Sequence, residues 1–243
     1  MDTDVIRVNY QSVLGRIRQA ALVVGRDPES VKLVVVTKGH AIGAVLAALD
    51  AGVRVFGENY AEEGVTKRLA CSASEGLEWH MIGHVQSRKA RLVAEHFDYV
   101  HSVDSLKISQ RLSRFASEFG RRMPVLLECN VSGEESKFGW PAWGERAWGE
   151  LLEPFAQVIE LPGLQVRGLM CMAPFLPDPE QARPYFQRLK RLGSFLAKAF
   201  PGVAWTEFSM GMSADFEVAV QEGATLVRVG TAIMGPRADT IDA

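Results

Sequence analysis

The run Val31-Lys32-Leu33-Val34-Val35-Val36-Thr37-Lys38 decides the fold. Val31–Val36 is short and β-branched, with too little alternation for a strand that faces water on one side. It reads as a strand buried on both faces, the pattern of a parallel sheet covered by helices. Upstream, residues 4–25 carry Val5, Val8, Val13, Ile17 and Ala20-Ala21 at roughly helical spacing, with Arg7, Arg16 and Arg18 between them and Gly25 as a C-cap. Downstream, residues 41–51 are rich in Ala and Leu and helical, closed by Gly52.

The alternation then repeats to the end of the chain. Strand-like runs are Val53–Phe56, Leu77–Ile82, Tyr99–Val103, Pro124–Asn130, Leu164–Met170, Val203–Phe208 and Leu226–Val229. Helical stretches between them are 59–71, 86–96, 104–119, a part of 141–159, 180–199 and 214–221. Eight βα units in about 210 residues predict an α/β fold, a closed (β/α)8 TIM barrel with an extra N-terminal helix, residues 1–243 forming one domain. A doubly wound open sheet is the alternative.

Composition narrows the function. The chain has 243 residues, 47% hydrophobic and 23% charged, with a net charge of −2. That is ordinary globular composition and gives no electrostatic case for nucleic acid or an anionic membrane as partner. No apolar run reaches the roughly 20 residues of a membrane span, and the acidic start Met1-Asp2-Thr3-Asp4 is unlike a secretory signal. Three cysteines (Cys71, Cys129 and Cys171) without a C-x-x-C pair argue against a disulfide framework or a cysteine zinc site. The expectation is a cytoplasmic protein.

In such a barrel, function sits where strands end. The first strand ends in Thr37-Lys38, placing a lysine at the barrel mouth or inside it. Its amine either snorkels to water or is available to condense with a carbonyl compound. The second ends in Phe56-Gly57-Glu58-Asn59-Tyr60, where Asn59 caps the next helix or meets a ligand. The third carries His80 and His84, whose spacing would suit a metal on a helix. Gly83 and the apolar alternation favour a strand end instead, with His80 lining the mouth. After the fifth strand, the polar loop 130–140 offers a second amine, Lys137.

The strongest signal lies after the last two strands. Ser209-Met210-Gly211-Met212-Ser213, followed by a helix, and Gly230-Thr231-Ala232-Ile233 each supply glycine, hydroxyl and backbone N–H groups. Phosphate sites form at this corner of the barrel. Asp215 and Glu217 suit the helix dipole and are expected to point away from such an anion. Arg228, between Val227 and Val229, points inward and needs an acceptor. A lysine, a phosphate cradle and an inward arginine together suit a phosphate ester that bears a carbonyl, and pyridoxal 5′-phosphate (PLP) fits.

These residues resemble those of the pyridoxal phosphate homeostasis protein family. The likeness rests on Val35-Val36-Thr37-Lys38, Phe56-Gly57-Glu58-Asn59-Tyr60, Trp79-His80-Met81-Ile82-Gly83, Gly168-Leu169-Met170, Ser209-Met210-Gly211-Met212-Ser213 and Val227-Arg228-Val229-Gly230-Thr231-Ala232-Ile233, in order along nearly the whole chain. The family's barrel is similar to the N-terminal domain of alanine racemases. The resemblance implies a Schiff base between Lys38 and PLP. It implies phosphate contacts from Ser209, Gly230 and Thr231, with Gly211 and Met212 nearby. Arg228 matches the residue facing the pyridine nitrogen, Asn59 and His80 match residues near the cofactor, and Lys137 matches a loop lysine linked to cofactor handling. Where family members often have a second lysine, a proline, a further proline and an asparagine, this chain has His40, Ala41, His84 and Arg88.

Two functions are weighed. One is a PLP carrier without efficient turnover, a monomer or weak homodimer that meets apo-enzymes transiently. The other is an amino-acid racemase or decarboxylase. A two-base racemase needs an acid or base on each cofactor face. The only tyrosines are Tyr10, Tyr60, Tyr99 and Tyr185, none in a clear second-base position, and with eight residues after Gly235 no second domain is expected to serve the other face. An arginine at the pyridine nitrogen also weakens the electron sink. These features favour the carrier. An aldolase-type enzyme using Lys38 on a sugar phosphate is a third reading.

Overall fold

The computed structural model describes residues 2–236. Met1 and residues 237–243, which the one-domain expectation includes, lie outside them. Among the described residues nine strands run β1 (Lys32–Val36), β2 (Val55–Glu58), β3 (Glu78–Met81), β4 (Tyr99–Val103), β5 (Met123–Asn130), β6 (Trp140–Pro141), β7 (Leu164–Met170), β8 (Glu207–Ser209) and β9 (Leu226–Val229). The helices are α1 (Thr3–Val23), α2 (Ile42–Asp50), α3 (Ala61–Ala70), α4 (Ala90–His96), α5 (Leu106–Glu118), α6 (Leu152–Ile159), α7 (Arg183–Ala199), α8 (Phe216–Gln221) and α9 (Thr231–Met234).

The sheet order is β4-β3-β2-β1-β9-β8-β7-β5, and β4 also pairs with β5, which closes the ring. Every pairing is parallel. The expected (β/α)8 barrel with its N-terminal helix is therefore present. β6 is a two-residue addition beside the end of β5, at Cys129 and Asn130.

Apolar side chains divide into two cores. Val34, Tyr99, Leu126, Met170 and Leu226, one each from β1, β4, β5, β7 and β9, fill the barrel's inside. A larger cluster lies between the strands and the surrounding helices. Leu33 and Val35 belong to this outer shell and Val34 to the inner one, so the first strand is buried on both faces.

Helix α1 packs against α2, α8 and α9. Its buried line is Ile6, Val13, Ile17, Ala20 and Ala21, whereas Val5 and Val8 face solvent. Rough helical spacing counts those two valines with the apolar face; a 3.6-residue period running back from Ile17 and Val13 reaches Ile6 instead. The strand expected at Val203–Phe208 begins only at Glu207, where its pairing with Gly168 of β7 starts. It runs on to Ser209, one residue further than expected, and that residue matters for the site. The start of the 141–159 helix is a 3-10 segment, Glu145–Leu151.

Candidate functional site

A cavity of about 360 Å³ opens at the carboxyl ends of the strands. Six of the residues picked from the sequence share its wall: Lys38, Asn59, Met212, Arg228, Gly230 and Thr231. Val36, Ile82, Met172, Phe175, Ser213 and Asp215 also contribute.

Lys38 stands two residues past the end of β1, and both of its neighbours are pinned. Lys67 of α3 is 2% exposed; its ammonium donates to the Thr37 carbonyl, Glu58 Oε1 and Glu63 Oε1 at 2.6, 2.7 and 2.7 Å. Thr37 Oγ1 donates to the same Glu58 oxygen, and the Gly39 N–H donates to Glu63 Oε1 at 2.6 Å. A buried ion pair contributes little net stability, but its geometry fixes what it touches. Here it fixes the backbone on either side of the lysine.

Asn59 is not the N-cap of α3. That position is Tyr60, which makes no side-chain cap bond. Asn59 Oδ1 is buried without a hydrogen-bond partner. A buried oxygen of this kind costs free energy unless a ligand or water completes it. Its backbone is pressed by Gly83, where an added Cβ would lie 2.3 Å from the Asn59 carbonyl oxygen. Only glycine permits that approach.

The two C-terminal loops meet at Ser213. Its hydroxyl accepts from the N–H groups of Gly230 at 3.3 Å and Ala232 at 3.4 Å. Gly230 is the N-cap of α9, so hydroxyls of Ser213 and Thr231 and the first amides of a helical turn share one rim of the cavity. Such a rim carries partial positive charge. Glu217 turns away, as expected, and pairs with Arg16 of α1 through two bonds of 2.8 and 2.7 Å. Asp215 does not turn away fully: it stays in the wall, with Oδ1 accepting the Met212 N–H at 2.6 Å. Burial pushes its carboxyl pKa up.

Ser209, His80 and Gly211 stand outside the cavity wall. Because β8 extends through Ser209, that side chain lies inside the barrel, fully buried. Its Oγ accepts from Arg228 Nη1 and lies 2.8 Å from His101 Nδ1. His101 Nε2 lies 2.8 Å from His80 Nδ1, and His80 Nε2 lies 3.1 Å from Glu78 Oε2. Gly211 has φ +91°, and a Cβ there would meet Ala219 Cβ at 2.5 Å. It lets the chain turn tightly between β8 and α8 rather than touching the cavity. Arg228 is inward and buried, and Nη2 donates to the Cys171 carbonyl at 2.9 Å.

His84 goes elsewhere, outward to Asp104 at 2.6 Å and stacked on Phe138 at 4.0 Å. Lys137 pairs with Glu134 and donates to the Met172 carbonyl at 3.2 Å, so it braces the cavity wall from behind. Glu128 is 3% exposed, and burial, with Asp104 nearby, pushes its carboxyl up to about 7.

Sequence reading missed three structural features. Ser213 stands in the quoted motif, where the resemblance implies the phosphate contact at Ser209, and only the end of β8 at Ser209 separates the two surroundings. His101 and Lys67 had no local signal: one looks like a strand residue and the other like a surface lysine on an amphipathic helix.

The model of the alanine racemase N-terminal domain family matches residues 4–238. The chain is 44% identical over 236 residues to the pyridoxal phosphate homeostasis protein of Pseudomonas aeruginosa PAO1, covering 96% of each. It is 41% identical over 236 residues to the protein of that name from Escherichia coli K12, covering 94% of this chain and 95% of that one. The solved structure of PipY from Synechococcus elongatus PCC7942, with PLP bound, is similar at 37% identity and a TM-score of 0.77, covering 90% of this chain and 99% of that one. An alanine racemase of Clostridium difficile 630 shares the fold, with 15% identity, a TM-score of 0.68 and coverage of 100% of this chain and 59% of that one.

Proposed function

The chain belongs to the pyridoxal phosphate homeostasis protein family, and from that premise we propose that its cavity holds PLP for intracellular cofactor homeostasis, without efficient turnover of a substrate. The observation that carries this reading is the convergence of Lys38, Asn59, Arg228 and the Ser213–Gly230–Thr231 rim on one cavity.

When bound, PLP supplies an aldehyde that condenses reversibly with a primary amine. Lys38 offers that amine from a backbone held on both sides by the Lys67 cluster. The unpartnered Asn59 Oδ1 would be available to accept a hydrogen bond from the ligand. Gly230, Thr231 and Ser213 cradle the phosphate. We assign Ser213 in place of Ser209 because the Ser209 hydroxyl is committed to Arg228 and His101 below the floor. Arg228 would be the lining residue set towards the pyridine nitrogen; its guanidinium can only donate, so it would favour the unprotonated ring. That weakens the electron withdrawal amino-acid chemistry depends on, and favours holding over turnover.

All strands share one sheet system, which supports reading the chain as one domain. Among the described residues no helix is long and apolar enough to cross a membrane. The three cysteines are unpaired and buried, which suits the cytoplasm. Recipient apo-enzymes are the partners such a role calls for, with the protein a monomer or weak homodimer.

The test is titration of the ligand-free protein with PLP and with pyridoxal, followed by visible absorbance. PLP is expected to bind far more tightly than its dephosphorylated form. Equal affinities would show that the rim does not serve a phosphate.

A further inference from the structure

Arg228 is the inner end of a hydrogen-bonded chain that runs the depth of the barrel. From β9 it passes to Ser209 on β8, His101 on β4, then His80 and Glu78 on β3. Glu78 is the first residue of its strand, at the mouth opposite the cavity, where Lys32 at the start of β1 donates to its Oε2 at 2.7 Å. Glu78 and Lys32 are part-exposed, whereas His80, His101 and Ser209 are fully buried.

Donor and acceptor chemistry gives this chain a direction. Arginine only donates, so Ser209 Oγ accepts from Arg228. The Ser209 hydroxyl hydrogen then goes to His101 Nδ1, which must be bare. His101 carries its proton on Nε2 and donates to a bare His80 Nδ1. His80 carries its proton on Nε2 and donates to the Glu78 carboxylate. Reversing the rings leaves the serine hydrogen without an acceptor and sets a histidine lone pair against a carboxylate oxygen.

The surroundings hold both rings neutral and in place. Tyr99 stacks on His80 at 5.1 Å and meets His101 edge-on at 5.1 Å, and its own hydroxyl donates to Glu207 at 2.8 Å. Burial lowers the pKa of both histidines, and Arg228 and Lys32 oppose a positive charge on His101. The hydrogen bond from His80, reinforced by Lys32, holds the Glu78 carboxyl down to about 2. Around Arg228 the remaining ionisable groups are Glu128, Cys171 and Asp215.

We propose that Glu78, His80 and His101 are positioning residues for Arg228, acting through Ser209 as a one-way hydrogen-bond chain that fixes how the guanidinium is presented to the bound ligand. This rests on the PLP reading for the identity of that ligand. The chain itself does not: it is complete in the protein alone.

Two measurements test it. The first is nitrogen NMR of the ligand-free protein labelled at histidine. His80 and His101 are expected to be neutral, each with its proton on Nε2, near pH 7.5. A proton on Nδ1 of either ring, or a cationic ring, would overturn the chain. The second is PLP binding and the absorption maximum of the bound cofactor in His101→Leu and His101→Gln. Leucine breaks the chain; glutamine keeps one acceptor and one donor. The leucine variant is expected to bind PLP about tenfold more weakly with a shifted maximum, and glutamine to restore both towards the parent. In an Arg228→Leu background the same His101 changes are expected to have no further effect on the maximum. Equal effects in both backgrounds would overturn positioning through Arg228. If His101→Leu does not fold, the tautomers of the parent still decide. A parent that binds no PLP would defeat the functional reading and the ligand-presenting role, while the tautomers would still report the chain.

Discussion

Ser213 and Ser209 stand four residues apart in one motif, and the barrel gives them opposite surroundings. Ser213 is on the cavity rim, bonded to loop amides, and Ser209 is under the floor, bonded to Arg228. A hydroxyl bound to phosphate is worth about 1.5–3 kcal/mol as a charge-assisted bond. Ser213→Ala combined with Thr231→Ala is therefore expected to weaken PLP binding at least tenfold while leaving pyridoxal binding nearly unchanged, by absorbance titration. Equal losses for both ligands would move the phosphate elsewhere. Periodicity in the sequence identifies the loop, but the choice between the serines turns on where the strand ends. That end is set by pairing between β7 and β8, a tertiary fact.

Glu128 gives a pH prediction at the same scale. Its folded pKa of about 7 lies above the ordinary carboxylate value of 4.5. The folded state thus holds a proton that the unfolded state has released. The associated stability is present below pH 4.5 and is lost as pH rises through about 7. Glu128→Gln removes the ionisable group, so it is expected to raise the melting temperature of the ligand-free protein more at pH 8 than at pH 5. The difference corresponds to about 1–3 kcal/mol. An equal change at both values would place the carboxyl in a wetter or better-paired site.

At the scale of elements, the junction between β8 and α8 depends on Gly211. Its φ of +91° and the contact its Cβ would make with Ala219 exclude any side chain without movement of α8. Gly211→Ala is expected to cost roughly 1–3 kcal/mol in thermal unfolding, from strained backbone and overpacking together. It should also loosen PLP, because Met212 and Ser213 follow directly on the same turn. A variant as stable as the parent would show that the turn has room. Most elements are legible from the chain, since runs such as Val31–Val36 and Tyr99–Val103 have short, β-branched cores bounded by helical stretches. β6 and α9 were not, being two and four residues long and made by neighbours rather than by local periodicity.

Across the whole molecule, the barrel brings groups together that lie far apart in sequence. Lys38, Asn59, Ser213 and Arg228 come from the ends of β1, β2, β8 and β9, and one cavity collects them. The sequence shows these residue types at strand ends, and the closed barrel makes strand ends converge, so this half of the site can be read in advance. The polar chain through the interior cannot: pairing His80 with His101 and Ser209 requires the ring to close between β4 and β5. A carrier is also expected to behave as one. With a broad panel of L- and D-amino acids, the holoprotein should racemise, decarboxylate and transaminate at rates close to free PLP. Turnover near the enzyme median of about 10 per second for any substrate would make it an enzyme.

The central claim is that PLP is held through Lys38. Borohydride reduction of the PLP-loaded protein, followed by peptide mass spectrometry, tests it most directly. The account predicts a phosphopyridoxyl group on Lys38 in the parent and loss of the fixed adduct in Lys38→Ala. A fixed group on Lys137, on Lys67 or on no lysine at all in the parent would contradict it.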